Sequence, residues 1–373
     1  MSIDDIVRIA HFAFFNVPIA TSWLLCQHVP VFAIWRPLFP GSREDSITYT
    51  ALDHLAGLTL VVNLFTYLSS AWLNQLFPFS FLAQQQSAPA PKLQTSSREW
   101  WAEQVVVVTG GSSGLGHEIV CLCLAKGAKV ANLDIAAPRP PSTSVTSHDD
   151  RLFYVHCDLT SRTEIQHAAA RVRELTGAPV TILINNAGIQ SGRGKSLLTL
   201  ADCEIERLFE VNVLAHFWTI RAFLPDMIAA HQPSGHIVTI SSIMGHVGIA
   251  HVADYAASKH ALVGLHASLR RELDHGIVGG KNACAVRTTL VTLGRVRTPL
   301  FARMRYGALA EFLAPTLNAA DVARRIVEDA LSRRRSCYMF MPWYSRFAPV
   351  LALMPSFVID LAHWITGADH AMA

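Results

Sequence analysis

Tyr255 and Lys259 stand four residues apart in Tyr255-Ala-Ala-Ser-Lys259. A helix puts such a pair on one face, so a phenol and an ammonium converge on one point. A free tyrosine titrates near pH ~10 and is a weak base at neutrality. A cation beside it favours the phenolate and draws that pKa toward working range. Ser242 ends the apolar run His236-Ile-Val-Thr-Ile-Ser-Ser242, thirteen residues before Tyr255. A strand ending there aims the hydroxyl into the crevice outside the carboxyl ends of a parallel sheet, where such folds bind ligands. Taken alone, Tyr-x-x-x-Lys is an ordinary helix face, and the surrounding elements decide between the two readings.

Those elements read as alternating strands and helices. Gln104-Val-Val-Val-Val-Thr109 is a continuous β-branched run, as in a strand buried on both faces. It feeds Gly110-Gly-Ser112-Ser113-Gly114-Leu115-Gly116, and the helical pattern Ile119, Val120, Cys123, Leu124 follows. A glycine turn between strand and helix lets the backbone approach a pyrophosphate at the helix N-terminus. The next strand, Ala128–Leu133, ends at Asp134. A carboxylate there accepts from the adenosine ribose hydroxyls and repels a 2′-phosphate, which favours NAD over NADP. Arg139, in the Pro/Ser-rich loop 137–150, is the residue that could reach such a phosphate. Leu152–His156 is a third strand, followed by Asp158, which either accepts from the adenine amino group or caps the helix starting at Ser161. Val180–Ile184 is a fourth, ending in Asn185-Asn186-Ala187-Gly188, whose small residues let the chain pass close to a cofactor. A sixth strand is expected at Ala283–Val291, a helix at 319–335 and a last strand at Cys337–Met341.

The glycine loop Thr109-Gly-x-x-x-Gly-x-Gly116, Asn185-Asn-Ala-Gly188, Ser242 and Tyr255-x-x-x-Lys259 occur in order, and over roughly residues 100–305 the chain resembles a short-chain dehydrogenase/reductase. The resemblance implies a doubly wound α/β Rossmann-type parallel sheet and a set of roles. Tyr255 is the general acid/base, Lys259 lowers its pKa and binds the nicotinamide ribose, and Ser242 holds the substrate oxygen. Asn212, in Glu210-Val-Asn-Val213, supports a proton relay. Gly110, Ser112, Ser113, Gly114, Leu115, Gly116, Asp134, Asp158, Asn186, Ala187, Gly188, Val296 and Thr298 contact the cofactor. Leu293 stands where the family has proline, and Gly294, Val296 and Thr298 still fit. Residues 300–316 are expected to form an apolar substrate lid or, equally, a packed helix.

Of the 373 residues, 51% are hydrophobic and only 16% charged. That charged fraction is well below the usual quarter and suggests a globular core with membrane-seeking segments. The net charge of +3 gives no reason to expect nucleic acid. Cys26, Cys121, Cys123, Cys157, Cys203, Cys284 and Cys337 are scattered without metal spacing, and a reducing compartment and no metal are expected. Residues 9–35 and the run Leu55–Phe81 carry no charge, and each is long enough to cross a bilayer, which takes about 20 apolar residues. The organisation expected is membrane-anchoring segments over 1–85, a linker over 86–99, the Rossmann domain over 100–342 and an apolar, interfacial tail over 343–373. The N-terminal segments cross, re-enter or lie in the membrane, with the catalytic domain on the cytosolic side. The N-terminal region, Asp134 and the tail resemble the membrane-bound retinol dehydrogenase and 17β-hydroxysteroid dehydrogenase branch. That implies a lipophilic alcohol or carbonyl substrate, an endoplasmic-reticulum or lipid-droplet location and a homodimer. An NADP-linked lipid ketone reductase and a non-catalytic scaffold of the same fold are the alternatives.

Overall fold

The computed structural model describes residues 98–137, 149–191, 195–229, 235–301, 311, 314–331 and 336–370. All belong to the second of the two units into which the chain divides, Gln85–Ala373. The N-terminal apolar runs, Arg139, Cys26 and most of the expected lid lie outside these residues.

Seven strands form one parallel sheet. They are β1 (Val105–Thr109), β2 (Lys129–Asp134), β3 (Leu152–His156), β4 (Ile182–Asn185), β5 (His236–Ser242), β6 (Arg287–Leu293) and β7 (Cys337–Met341). Their spatial order is β3-β2-β1-β4-β5-β6-β7. Chain direction across the sheet therefore reverses between β1 and β4, and ligands of such folds bind at that switch point. β6 begins four residues later than the sequence suggests, because Gly280–Ala285 winds into a 3-10 turn.

The core explains why the strands read as unbroken β-branched runs. Val106 and Val108 pack into one layer with Ile119, Val120 and Leu124, while Val105 and Val107 pack into the other with Ile165, Val172 and Phe223. Successive strand side chains point to opposite faces, so a strand covered on both sides reads as a near-continuous apolar run.

The helices follow in chain order. α1 is Arg98–Ala102, α2 Gly114–Lys126, α3 Arg162–Thr176, α4 Asp202–Phe209 and α5 Ala215–Ala229. α6 is Ala253–Asp274, α7 Ala319–Arg325 and α8 Ser356–Thr366. The Ser161 hydroxyl caps α3 by accepting from Glu164 N at 3.2 Å. A π-helical turn, Glu210–Leu214, joins α4 to α5, and another, Ile326–Leu331, extends α7. Single π turns inside helices are often found at functional sites. Among the described residues no helix is long and apolar enough to cross a membrane.

Candidate active site

The glycine loop is built to bring backbone close to a ligand. Gly110 and Gly114 have φ of +68° and +55°, a region L side chains rarely adopt. A Cβ on Gly116 would lie 2.1 Å from Gly110 O and 2.5 Å from Asn186 Nδ2. The loop is held by side chains beneath it. Asn132 Oδ1 accepts from Gly111 N at 2.9 Å, and Asn186 Nδ2 donates to the carbonyls of Thr109 and Gly110 at 3.0 and 3.2 Å. Thr109 Oγ1 accepts from the amides of Asn186 and Ala187, tying β4 to β1 at the switch point.

An open cavity of about 310 Å³ lies above these strand ends. Gly110, Ser113, Gly114 and Leu115 form its floor at the start of α2, with Asp134 and Asp158 on one side and Asn186, Ala187 and Gly188 on another. Thr298 and Pro299 close it from the β6 side. Positive-φ glycines, a 13-residue helix opening at Gly114 and a carboxylate at the end of β2 fit a dinucleotide.

The side chains expected to carry the chemistry come from three elements. Asn212 occupies the π turn, fully buried, and clamps Ile189. Its Oδ1 accepts from Ile189 N at 2.8 Å, and its Nδ2 donates to Ile189 O at 2.9 Å and Ser258 Oγ at 3.2 Å. Ser242 closes β5, and its Oγ accepts from Met244 N at 3.2 Å. Tyr255 and Lys259 sit in the first two turns of α6, both almost entirely buried. Lys259 Nζ lies 5.5 Å from the Tyr255 ring centre and donates to Ile240 O at 3.2 Å. A Cβ placed on Gly188 would stand 3.5 Å from Asn212 Oδ1 and 3.6 Å from Lys259 Nζ. The glycine thus leaves open the space that both polar groups face.

Burial dominates the electrostatics here. It pushes the Tyr255 phenol well above its usual range, and the hydrogen bond with Ser242 opposes only part of that rise. It pulls the Lys259 ammonium down to about 8. Lys259 Nζ donates to Ile240 O, and the lowering influence on the phenol comes from Ser242.

Most of the residues expected at the site lie around this cavity, and three of the expected cofactor contacts do not line it. Ser112 is buried beneath the loop, its hydroxyl donating to Ala136 O at 2.6 Å and accepting from Asn132 Nδ2 at 2.9 Å. It shapes the loop and does not line the cavity. Gly116 packs against Gly110 O and is not among the residues lining this cavity. Val296 is core, on the short two-stranded ladder it forms with Leu317. Asp134 lines the cavity while its carboxylate also accepts from Ser112 N at 2.9 Å and Ala136 N at 3.0 Å. Asp158 lines it too, and forms a turn by accepting from the amide and hydroxyl of Thr160, both at 2.9 Å, which hold its carboxyl below its usual range. Ser161, not Asp158, caps α3.

Some contributors were not foreseen. Asn132 forms a polar seam under the loop with Ser112, and an asparagine inside an apolar strand is the signal, since buried polar groups are bonded. His216, four residues after Asn212, is buried with an unpartnered Nδ1, and burial followed by the Lys259 charge pulls it down to about 3. Ile135 and Arg207 line the cavity through chain folding that no local pattern announces. Among the described residues there is no cluster able to hold a metal, and six of the cysteines are free.

The family profile described as short chain dehydrogenase matches residues 104–307. The dehydrogenase RED2 of Cochliobolus heterostrophus is 38% identical over 257 residues, 69% of this chain and 84% of its own length. Human epidermal retinol dehydrogenase 2 is 32% identical over 280 residues, 73% and 85% of the two chains. Human 17-beta-hydroxysteroid dehydrogenase 13 is 32% identical over 251 residues, 65% and 76%. A solved short-chain dehydrogenase from Streptomyces avermitilis superposes with a TM-score of 0.53 at 26% identity, covering 71% of this chain and 97% of that one. The chain therefore belongs to the short-chain dehydrogenase/reductase family, in the branch of the retinol and 17β-hydroxysteroid dehydrogenases, and is an NAD(P)-dependent oxidoreductase acting on CH–OH groups.

Proposed function

We propose that this chain oxidises a lipophilic alcohol, of retinoid, steroid or long-chain type, with NAD at a membrane surface. The observation that carries the substrate class is the apolar wall around the catalytic phenol. Leu208 and Val252 are buried with Tyr255, and Ile189, Phe209, Met244 and Ile249 pack against them. Such a wall favours a hydrocarbon-bearing carbinol, with Ser242 and Tyr255 as the polar pair that fixes its oxygen. Tyr255 takes the hydroxyl proton while Ser242 holds the oxygen, and the reverse assignment serves reduction. Asn212 and Lys259 face the space beside Gly188, through which a proton can pass to and from the phenol. The bound nicotinamide supplies the hydride acceptor, held by the residues at the end of β2 and in the glycine loop. Asp134 supports NAD over NADP, because a 2′-phosphate beside a carboxylate already fixed by Ser112 N and Ala136 N would meet like charge. The two uncharged apolar runs before residue 98 support attachment to the endoplasmic-reticulum or lipid-droplet membrane, with this domain on the cytosolic side. A homodimer is also part of the reading, supported by the exposed small residues Ala253, Ala257, Gly264 and Ala267 along α6.

The test is nicotinamide fluorescence of the detergent-solubilised protein titrated with NADH and NADPH, followed by a panel of retinoid, steroid and long-chain alcohols. Tighter NADH binding and turnover of one lipid class are expected, with Asp134→Ala narrowing the NADH preference by about tenfold or more, roughly 1.4 kcal/mol. Preference for NADPH in the parent protein would overturn the cofactor assignment and favour a ketone reductase.

A further inference from the structure

Among the described residues, α8 differs from the other long helices because it buries none of its residues. Phe357, Leu361 and Trp364 stand 69%, 52% and 80% exposed, at the i, i+4, i+7 spacing of one helical face. Leu353 and Met354, in the turn before it, are exposed beside them. A contiguous apolar surface that a folded domain leaves uncovered marks an interaction site.

Three observations decide what covers it. The segment from Phe347 to Ala373 contains no lysine or arginine, and Asp360 and Asp369 are its charged residues, so an anionic surface has nothing to recruit it. At about 100° per residue, Asp360 falls about 60° to one side of Phe357, at the rim of the apolar face, where it can stay in water while the ring goes in. Across a two-fold axis the same acid would bring like charges to the rim of the contact with no base to answer them, which disfavours a second copy. The chain also carries two uncharged apolar runs outside the described residues, each with the length and composition of a lipid-seeking segment.

The tail is also bonded to the loop that precedes α6. Asp369 Oδ1 accepts from Ala250 N at 2.9 Å, and its other oxygen lies 3.3 Å from His363 Nδ1 on α8. Ala250 belongs to the loop that leads into α6. His251 there has a φ of +64°, and Ile249 and Val252 contribute to the wall around Tyr255. The helix that faces outward and the loop that shapes the substrate wall are thereby one connected piece.

We propose that α8 lies in the surface of a neutral phospholipid bilayer, and that the Asp369–Ala250 bond registers the substrate loop against that surface so that lipophilic alcohols enter from the lipid. The substrate half of this inference rests on the function proposed above. The docking half stands on α8 alone.

The full-length protein is bound to phosphatidylcholine vesicles with brominated acyl chains, and tryptophan fluorescence is compared with that of Trp364→Phe. The wild type is expected to show a quenched component that the variant lacks, since bromine reaches only an inserted ring. Equal quenching in the two proteins overturns the docking. So does protection of Trp364 that appears only on dimerisation without lipid. In parallel, turnover is measured on hexadecanol dissolved in the same vesicles and on 2-butanol in water. Phe357→Glu/Leu361→Glu should lose at least tenfold on hexadecanol and be unchanged on 2-butanol. Asp369→Ala should keep the Trp364 signal and lose severalfold on hexadecanol alone. Equal losses on both alcohols would overturn the registration of the loop. If the wild type turns over 2-butanol but no lipid alcohol, the substrate class is wrong, while the fluorescence result still decides the docking.

Discussion

Tyr255 carries a burden that its residue type alone does not reveal. Its phenol is buried and held protonated, with Ser242 as its hydrogen-bonding neighbour and Lys259 Nζ 5.5 Å from its ring. Tyr255→Phe keeps the ring in its apolar wall and removes the proton acceptor. Turnover should therefore fall by about 10²–10⁴ with melting temperature nearly unchanged, in steady-state kinetics paired with calorimetry. Persistence of full turnover would remove the tyrosine from the chemistry. Lys259 makes a second prediction, about stability. Its folded pKa is about 8, against an ordinary lysine value near ~10.4. Between about pH 8 and 10 the unfolded chain thus binds more protons than the folded one, and stability rises with pH across that window. At neutral pH the buried ammonium costs on the order of 3 kcal/mol relative to an unperturbed lysine. Lys259→Met has no such titration. The wild type should gain on the variant from pH 8 to 10 in urea midpoints, and parallel curves would show that the ammonium is better solvated than its burial implies.

At the scale of elements, the glycine loop and α2 fit together without room for a methyl group. Ala normally improves a helix over Gly by roughly 0.5–1 kcal/mol. At Gly116 the added Cβ would meet Gly110 O at 2.1 Å and Asn186 Nδ2 at 2.5 Å, so the helix has to back away from the strands. Overpacking of this kind costs about 1–3 kcal/mol. Gly116→Ala should lower the melting temperature and weaken NADH binding, measured by nicotinamide fluorescence, although Gly116 itself is not among the residues lining the cavity. The strands, this loop and the catalytic pair were legible in the sequence because their constraints are local. A strand covered on both faces is rich in apolar, often β-branched residues, a positive-φ turn wants glycine, and two residues four apart share a helix face. What the sequence does not show falls where a residue's environment comes from elsewhere in the chain. Ser112 reads as a cofactor contact, and its hydroxyl is occupied by Asn132 of β2 and by Ala136 just beyond it. Val296 reads as a cofactor contact, and the structure places its side chain in the core, beside the ladder with Leu317. Arg207 and His216 join the site only because α4 and α5 lie against β4 and α6.

The whole molecule leaves one further surface to explain. α6 presents Ala253, Ala257, Gly264 and Ala267 to solvent, on the face opposite the buried Tyr255 and Lys259. Small side chains at this spacing let a second helix approach closely, and catalytic residues on the inner face would be braced by whatever packs on the outer one. A Cβ added at Gly264 meets nothing within 4 Å in the single chain. An isolated protomer should therefore welcome a side chain there, gaining up to about 1 kcal/mol from improved helix propensity. A dimer packed through this face would be wedged apart by the same change. These opposite signs make Gly264→Leu a sharp probe of assembly. With the proposed homodimer, light scattering behind size-exclusion chromatography in detergent should show the protein component halving in mass. The melting temperature should fall and lose its dependence on protein concentration, since a coupled dimer is stabilised by mass action and a monomer is not. A variant that keeps its mass and melts higher would mean that the face is bare in solution, and that α6 holds Tyr255 and Lys259 in place through its inner contacts alone.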